Sequence, residues 1–291
     1  MTEQLSSEIE AGLKTTHKAR YTPEEMDSFD VGFNVLYEAV VNCGYTPGSH
    51  IRAIVVDLDK AACDHSELSA AFKALNNRRV FVIEQGRFMV SFFFSNGSRD
   101  FISLSHDRLM TTLEEGIHQP FGILCGISQT FEDLREASNA FKQALYSIEY
   151  RKYYLREINI TREDVGIDTI AGTSFAQVLP YYLVEESSTD ESFVGFCLSR
   201  AFLTSILADD IRHNTKNFQI LWFYLAFERN ASLVGRRMFM HRNSVLYHIK
   251  QMEKQYDFDL DCRFFREKLL LDYRLVLMSL SDASISALFD D

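Results

Sequence analysis

The sequence predicts an α+β protein in which a ferredoxin-like α/β sandwich precedes an all-helical domain that ends in a helix-turn-helix. Strand and helix patterns alternate between residues 49 and 155, beginning with the β-branched run Ile51–Leu58. Helical periodicity prevails from Phe193 onward, and residues 230–254 have the pattern of two short helices with a tight connection. The 291 residues are enough for two domains and their connections.

The amino-terminal end is polar up to residue 25, and an amphipathic helix is predicted from Asp27 to Asn42. Its apolar stripe consists of Phe29, Phe33, Leu36, Tyr37 and Val40. A stripe of this width fits two arrangements equally well, packing on its own domain or pairing with a second copy of the chain. Turn residues between Gly44 and Gly48 end the helix.

Four strands and three helices are predicted in the α/β block. The strands are Ile51–Leu58, Val80–Glu84, Arg87–Phe94 and Phe121–Gly126, and Gln85-Gly86 marks a hairpin. The helices are Glu67–Leu75, Asp107–Gly116 and Glu132–Arg151, the last of them capped by Thr130. This order predicts one sheet that contains antiparallel strands and is covered by helices.

These patterns divide the chain into four predicted regions. They are a tail with the amphipathic helix at 1–45, the α/β domain at 46–155, a connecting helical region at 156–215 and the helix-turn-helix domain at 216–291. The aromatic-rich segment Thr173–Leu183 suits core packing, a ligand pocket or a dimer surface. Helices are predicted at Phe193–Ile211 and at Phe218–Phe227, the second as a scaffold under the helix-turn-helix.

The two short helices near the carboxyl end have distinct start signals. Ser232 is the predicted N-cap of the first, and Gly235 inside it indicates close approach of the second helix. The second helix is predicted to begin near His241 or Arg242. Its buried stripe is Val245, Ile249, Met252 and Tyr256.

The charge of this segment differs from that of the rest of the chain. Residues 229–254, called the basic segment below, carry six positive charges and one negative, a net of +5, whereas the whole chain is −11. A basic island on a helical hairpin is typical of DNA-binding modules, although a charged helix face is often merely solvated. Arginine can make two hydrogen bonds to guanine and asparagine two to adenine. The candidate DNA-binding residues are Arg236, Arg237, His241, Arg242, Asn243, Ser244, Tyr247, Lys250, Gln251 and Lys254.

The same residues resemble the carboxyl-terminal helix-turn-helix of the PucR/CdaR family of bacterial transcription regulators. The block His241-Arg242-Asn243-Ser244, followed by Val245 and Tyr247, carries most of the resemblance. Three positions depart from the family pattern, with Gly235 in place of Ala, Met238 in place of Leu and His248 in place of Arg. The resemblance implies a DNA-binding regulator of metabolic genes that answers to a small-molecule effector.

The α/β block resembles the degenerate cyclase-like, or GGDEF-like, domain of the same regulators at Gly126-Ile127-Ser128 and in the following helix. Asp57 and Asp59, two apart at the end of the first strand, form a candidate Mg²⁺ pair. An active cyclase also needs paired glycines and acids on the central hairpin. The hairpin here, Ile83–Phe88, has one glycine and no acid pair, so we expect a strand-end turn and no catalysis.

The remaining sequence signals exclude other classes. No Gly-x-Ser-x-Gly hydrolase, P-loop, zinc-protease or dinucleotide motif appears, the five cysteines are scattered, and the eight histidines do not cluster. No stretch approaches the ~20 apolar residues of a membrane span, and residues 1–25 lack a signal peptide core. We therefore expect a cytoplasmic non-enzyme without metal or cofactor, with double-stranded DNA, a second copy of the chain and a small-molecule effector as candidate partners. The alternatives are an effector or nucleotide sensor with a non-DNA output, and a residual nucleotide cyclase.

Overall fold

The computed structural model describes residues 21–60, 79–95, 124–161, 172–186 and 200–289, and these confirm the α+β class. The described residues fall into two compact units. One contains those within 18–155 and 164–179 and holds the sheet, and the other contains those within 156–163 and 180–291 and is helical. We call them the sheet unit and the helical unit. The predicted helices at 67–75 and 107–116 lie outside the described residues.

The sheet has five strands in the order β2-β3-β1-β4-β5. The strands are β1 (His50–Asp57), β2 (Val80–Gln85), β3 (Phe88–Ser95), β4 (Cys125–Ile127) and β5 (Gly172–Ser174). β1 pairs antiparallel with β3 and β4, β2 pairs antiparallel with β3, and β5 lies parallel to β4. The predicted hairpin is confirmed, and Gly86 in its turn has a φ of +59°, which favours glycine. The short strand β5 was not predicted.

The predicted helix from Asp27 to Asn42 is wrong in its first part. A short helix α1 (Pro23–Met26) starts in a capping box made by Thr22 and Glu25, and α2 (Phe33–Asn42) begins only after Gly32. Phe29 lies between the two helices, and the centre of its ring is 5.7 Å from that of Phe92 and 5.4 Å from that of Phe141. Leu36 and Val40 are buried in the same core, so α2 packs on its own domain.

The long helix of the sheet unit, α3 (Ala137–Thr161), extends ten residues beyond its predicted end and has a different start. A 3-10 turn, Leu134–Glu136, precedes it, and Asp133 caps that turn by accepting from the Arg135 N–H at 2.9 Å. Thr130 is therefore not the cap, because the chain does not turn helical until four residues later. A Cβ added to Gly126 of β4 would lie 1.8 Å from the carbonyl oxygen of Ala144, so α3 packs directly on the sheet backbone.

The helical unit is built around Trp222 and Tyr273, which are both fully buried. Its helices include α5 (Arg200–His213), α6 (Asn217–Ala226), α7 (Ala231–Arg237), α8 (Arg242–Tyr256), α9 (Arg263–Ser279) and α10 (Asp282–Phe289). The helix α4 (Phe175–Glu186) begins in the sheet unit, and its residues from Pro180 belong to the helical unit. The predicted helix at 218–227 is confirmed as α6. Of the predicted helix at 193–211, residues 193–199 lie outside the described residues.

The start of α6 is fixed by one buried carboxylate. Asp210 accepts from the hydroxyl of Thr215 at 2.5 Å, from the N–H of Asn217 at 2.9 Å and from the N–H of Phe218 at 2.7 Å. These bonds satisfy backbone donors that the first turn of a helix leaves open. Eight consecutive residues of α6, Phe218 to Leu225, are buried, so this helix is the centre on which the rest of the unit packs.

Candidate nucleic-acid interface

The first helix of the helix-turn-helix, α7, is capped by Asn230 and not by Ser232 as predicted. The Asn230 side chain accepts from the N–H groups of Ser232 and Leu233, both at 3.2 Å. The helix thus begins at Ala231, two residues earlier than a cap at Ser232 requires, and Ser232 lies exposed in its first turn. Both residue types are good caps, so sequence alone does not separate them.

Gly235 lets α7 lie against the turn that leads into α8. A Cβ added there would be 2.6 Å from the carbonyl oxygen of Met240 and 3.4 Å from the nitrogen of Arg242. The Met240 N–H also donates to the Gly235 carbonyl at 2.8 Å. The close approach predicted at Gly235 is therefore present, and its partner is the turn backbone and the first residue of α8.

The start of α8 is fixed by His241. Its Nδ1 accepts from the N–H of Asn243 at 3.2 Å, so the neutral ring carries its proton on Nε2. The next three residues, Arg242, Asn243 and Ser244, are exposed. A helix start presents backbone N–H groups and partial positive charge, which attract phosphate.

The two sides of α8 are separated as predicted. Val245, Ile249 and Met252 are buried, and Tyr256 is half-buried. The opposite side is exposed along its whole length. We call it the exposed face of α8, and its members are Asn243, Tyr247, Lys250, Gln251 and Lys254.

Two neighbouring arginines at the end of α7 differ in their surroundings. Arg236 is exposed. Arg237 is half-buried, its guanidinium lies 5.3 Å from the ring centre of Phe223, and it donates to the carbonyl of Ile160 at 3.4 Å. Arg236 has no such partner among the described residues, so the two predicted DNA contacts have different surroundings.

His248 and Tyr247 also have separate roles. His248 lies half-buried, with Nδ1 2.9 Å from Oδ1 of Asn217 at the start of α6, so it links α8 to α6. Tyr247 is 62% exposed, and its ring meets that of His248 edge-on at 6.0 Å. At position 248, where the PucR/CdaR pattern has arginine, this chain has a histidine that packs against α6.

Comparison with known families identifies this region. A family model for the PucR C-terminal helix-turn-helix domain matches residues 218–275, which run from α6 into α9. Residues 218–275 are a PucR-type helix-turn-helix domain. The resemblance noted in the sequence is thereby confirmed for this part of the chain.

Two further comparisons concern the whole chain. A crystal structure of a regulator of polyketide synthase expression from Bifidobacterium adolescentis is similar at 12% identity, over 94% of this chain and 100% of that chain, with a TM-score of 0.33. No curated protein matches the chain.

Outside the PucR-type domain, the candidate Mg²⁺ pair of the sheet unit is not formed, and the predicted strand-end turn is present. Asp57 ends β1 and is fully buried, but Asp59 lies exposed in the 3-10 turn Leu58–Lys60. The two carboxylates therefore do not project from one strand to the same side, because the strand ends between them. Tyr21 donates to Asp57 Oδ2 at 3.2 Å, and a guanidinium nitrogen of Arg87 lies 3.5 Å from the same oxygen.

The hairpin turn beside Asp57 is stabilised by an ion pair and a hydrogen bond to the segment that contains α1. Arg87 also pairs with Glu25 of α1 at 2.9 Å, and Gln85 donates to the Ser28 carbonyl at 3.0 Å. A cavity of about 330 Å³ opens next to this turn and is lined by residues of α1 and of the β2–β3 hairpin. Among the described residues, no cluster of three or more histidine, cysteine, aspartate or glutamate side chains is placed to hold a metal ion.

Two further features bear on the sequence predictions. Cys125 is buried, and burial raises the pKa of its thiol to about 12, as expected of a small core side chain. Within the part of the chain that the structure describes, no helix has both the length and the apolar character for crossing a bilayer.

Proposed function

We propose that this chain is a DNA-binding transcriptional regulator of the PucR/CdaR type that controls metabolic genes in the cytoplasm. The observation that carries the proposal is the exposed face of α8 within a PucR-type helix-turn-helix domain. Buried and exposed residues are cleanly separated on this helix, and the residues at its start remain available to a partner. A recognition helix reads base edges with its amino-terminal residues while neighbouring side chains hold the phosphates.

The residues divide into two roles on this proposal. Arg242, Asn243 and Tyr247 are placed to read bases, because they lie at or one turn after the start of α8. Arg236, Lys250 and Lys254 are placed to contact phosphates, together with the Nε2–H of His241. Among the described residues, none of the three cations Arg236, Lys250 and Lys254 is engaged in an ion pair, in contrast to Arg229, which pairs with Asp261 at 2.6 Å.

The charge distribution supports a single binding orientation. The basic segment is +5, so the remainder of the chain carries −16. DNA repels that remainder, and only an approach that presents the basic segment lowers the electrostatic free energy.

Removal of one charge from the exposed face of α8 tests the proposal. Duplexes bound by the full chain are first selected from a random library, and affinity is measured by fluorescence anisotropy across a salt series. We expect Lys250→Ala to weaken binding to all duplexes and to reduce the salt slope by about one unit. Arg263→Ala is the matched control, since it removes the same charge from the first residue of α9. Equal salt slopes for Lys250→Ala and the unmodified chain would contradict the proposal.

We further propose a homodimer that binds an inverted repeat. One helix-turn-helix covers a single half-site, and such modules commonly act in symmetric pairs about one DNA turn apart. The stripes that the sequence offered for pairing are largely used in the cores, since Phe29, Leu36, Val40, Phe175 and Val178 are buried. The apolar side chains left exposed nearby are Phe33, Val35, Val41 and Leu183. Sedimentation equilibrium with and without the selected duplex tests pairing, and a monomer in both conditions argues against it.

A small-molecule effector and the absence of enzyme activity complete the proposal. The cavity beside Arg87 has a volume within the range of ligand sites, which supports an effector in the sheet unit.

Arg87 occupies the space beside Asp57 that a metal ion would need, which supports a non-enzyme. Incubation with GTP or ATP and Mg²⁺ should yield no cyclic nucleotide product. Product formation would contradict the proposal and support the cyclase alternative.

A further inference from the structure

The most exposed large apolar side chain among the described residues lies in the turn of the helix-turn-helix. Phe239 is 95% exposed, between the end of α7 and the start of α8. Its backbone has a φ of +51°, in the left-handed region. The turn is otherwise well fixed, because the N–H of Met240 donates to the Gly235 carbonyl at 2.8 Å.

Folding of the domain does not account for a phenylalanine at this position. A left-handed backbone favours glycine or asparagine, and a bulky side chain there is strained. An apolar ring surrounded by water also forgoes the burial that stabilises other phenylalanines of the unit, such as Phe218 and Phe223. Residues that oppose folding in this way are candidates for function.

The position of Phe239 places it beside the residues that read DNA. Its Cα is three residues from that of Arg242 and therefore within about 11 Å of it along the chain. The major groove is about 12 Å wide. When the start of α8 enters the groove, the ring of Phe239 is at the groove edge or just inside it.

The surroundings of the ring favour a polyanion over an apolar protein surface. Exposed arginines lie three residues to either side, Arg236 and Arg242. An apolar protein partner would have to bury both charges unpaired, which is costly. On DNA the same charges meet phosphates, and the apolar groups at the groove edge are the thymine C5-methyl and the deoxyribose.

We propose that Phe239 is a specificity-determining residue that contacts the C5-methyl group of a thymine at the edge of the half-site. This inference rests on the proposed DNA-binding function and adds to it a preference for thymine at one position. The contact is apolar, so it is independent of the salt-sensitive phosphate contacts of Lys250 and Lys254.

Methyl deletion on the DNA tests the contact directly. The full chain and its Phe239→Ala variant are titrated with the selected duplex and with duplexes in which each thymine is replaced singly by uracil. We expect Phe239→Ala to weaken binding to the selected duplex about tenfold without a change in salt slope. One uracil substitution should weaken DNA binding by the unmodified chain severalfold and leave DNA binding by the variant unchanged. Phe264→Ala is the matched control, because Phe264 is 81% exposed and lies in the first turn of α9, beyond the far end of α8.

The outcomes separate this inference from the function on which it rests. DNA binding is supported if the unmodified chain binds with a salt slope that Lys250→Ala reduces. If in that case Phe239→Ala binds as tightly as the unmodified chain, or responds to the uracil substitutions as the unmodified chain does, only the thymine contact is overturned. If Phe239→Ala retains DNA affinity but loses transcriptional activity, the ring contacts a protein of the transcription machinery, and the inference is again overturned. If the unmodified chain selects no duplex, both fail.

Discussion

At the beginning of α8, His241 caps the helix, and the side chain of Asn243 is therefore available for hydrogen bonds to a partner. His241 accepts from the backbone N–H of Asn243, so the cap of this helix is already supplied. The amide of Asn243 is exposed, and no hydrogen bond of that side chain occurs within the described residues. Asparagine near a helix start is often a structural cap, and here that role belongs to the histidine.

Asn243→Ala should therefore affect recognition and leave stability unchanged. We expect a loss of roughly 1–3 kcal/mol in binding free energy on the selected duplex, and a much smaller loss on random DNA, because the two hydrogen bonds of an asparagine to adenine are sequence-specific. Competition titrations with both DNAs measure the difference, and thermal unfolding of the variant serves as the control. Equal losses on both DNAs would assign Asn243 a structural role.

At the scale of the element, α7 depends on a single capping side chain. Asn230 accepts from two N–H groups of the first turn, while Ser232 lies exposed within the helix. The two positions offer a matched pair, since both carry residues that favour caps and both lie at the start of the same seven-residue helix, Asn230 as its cap and Ser232 in its first turn.

Asn230→Ala should destabilise the helical unit by about 1 kcal/mol, whereas Ser232→Ala should stay within about 0.5 kcal/mol of the unmodified chain. The reason is that only the first substitution leaves backbone donors of α7 without a partner. Urea denaturation followed by the fluorescence of Trp222, the one tryptophan of the chain, reports on this unit directly. The reverse order of the two effects would mean that α7 begins at Ser232 in solution.

At the scale of the whole molecule, the helix-turn-helix is held in a larger helical unit that includes the end of α3. Arg274 of α9 donates to both carboxylate oxygens of Glu157, at 3.0 and 3.1 Å, and the hydroxyl of Tyr181 donates to the same carboxylate. Burial and the charge of Glu157 raise the pKa of Tyr181, which keeps its hydroxyl protonated as a donor. Arg156 donates to the carbonyls of Leu277 and Leu280 as well.

Glu157→Gln should lower the free energy of unfolding by roughly 2–3 kcal/mol, because it leaves the mostly buried Arg274 without its counter-charge. Asp282→Asn is the control, since it removes the same charge from an exposed carboxylate, and its partner Arg156 keeps its hydrogen bonds to the carbonyls of Leu277 and Leu280, so it should cost less than about 1 kcal/mol. Both are measured by urea denaturation of the full chain. Similar values for the two variants would show that the Glu157 pair contributes no more than a surface pair.

The sequence predicted elements whose signal is local and periodic. The apolar runs of β1 to β3, their hairpin turn and the stripe Val245, Ile249 and Met252 follow from local pattern alone, and all are present. β5 was missed because three residues are too few for a period. The different surroundings of Arg236 and Arg237 could not be foreseen, since the carbonyl that Arg237 contacts, at Ile160, is 77 residues away.

Caps and turns were the other source of error, for a related reason. Asn230 and Ser232, like Thr130 and Asp133, are alternative caps two or three residues apart, and only the path of the chain selects one. The exposure of Phe239 has no sequence signal at all, because a left-handed phenylalanine runs against the usual preferences.

The separation of the two sides of α8 bears on how new regulators arise. On the proposed function, substitutions at Asn243, Tyr247 or Gln251 change the surface offered to DNA while the buried stripe, and with it the fold, stays intact. A duplicated gene can therefore drift toward a different operator through a series of variants that all fold. The same property allows these positions to be randomised together in the laboratory, with recognition as the only trait under selection.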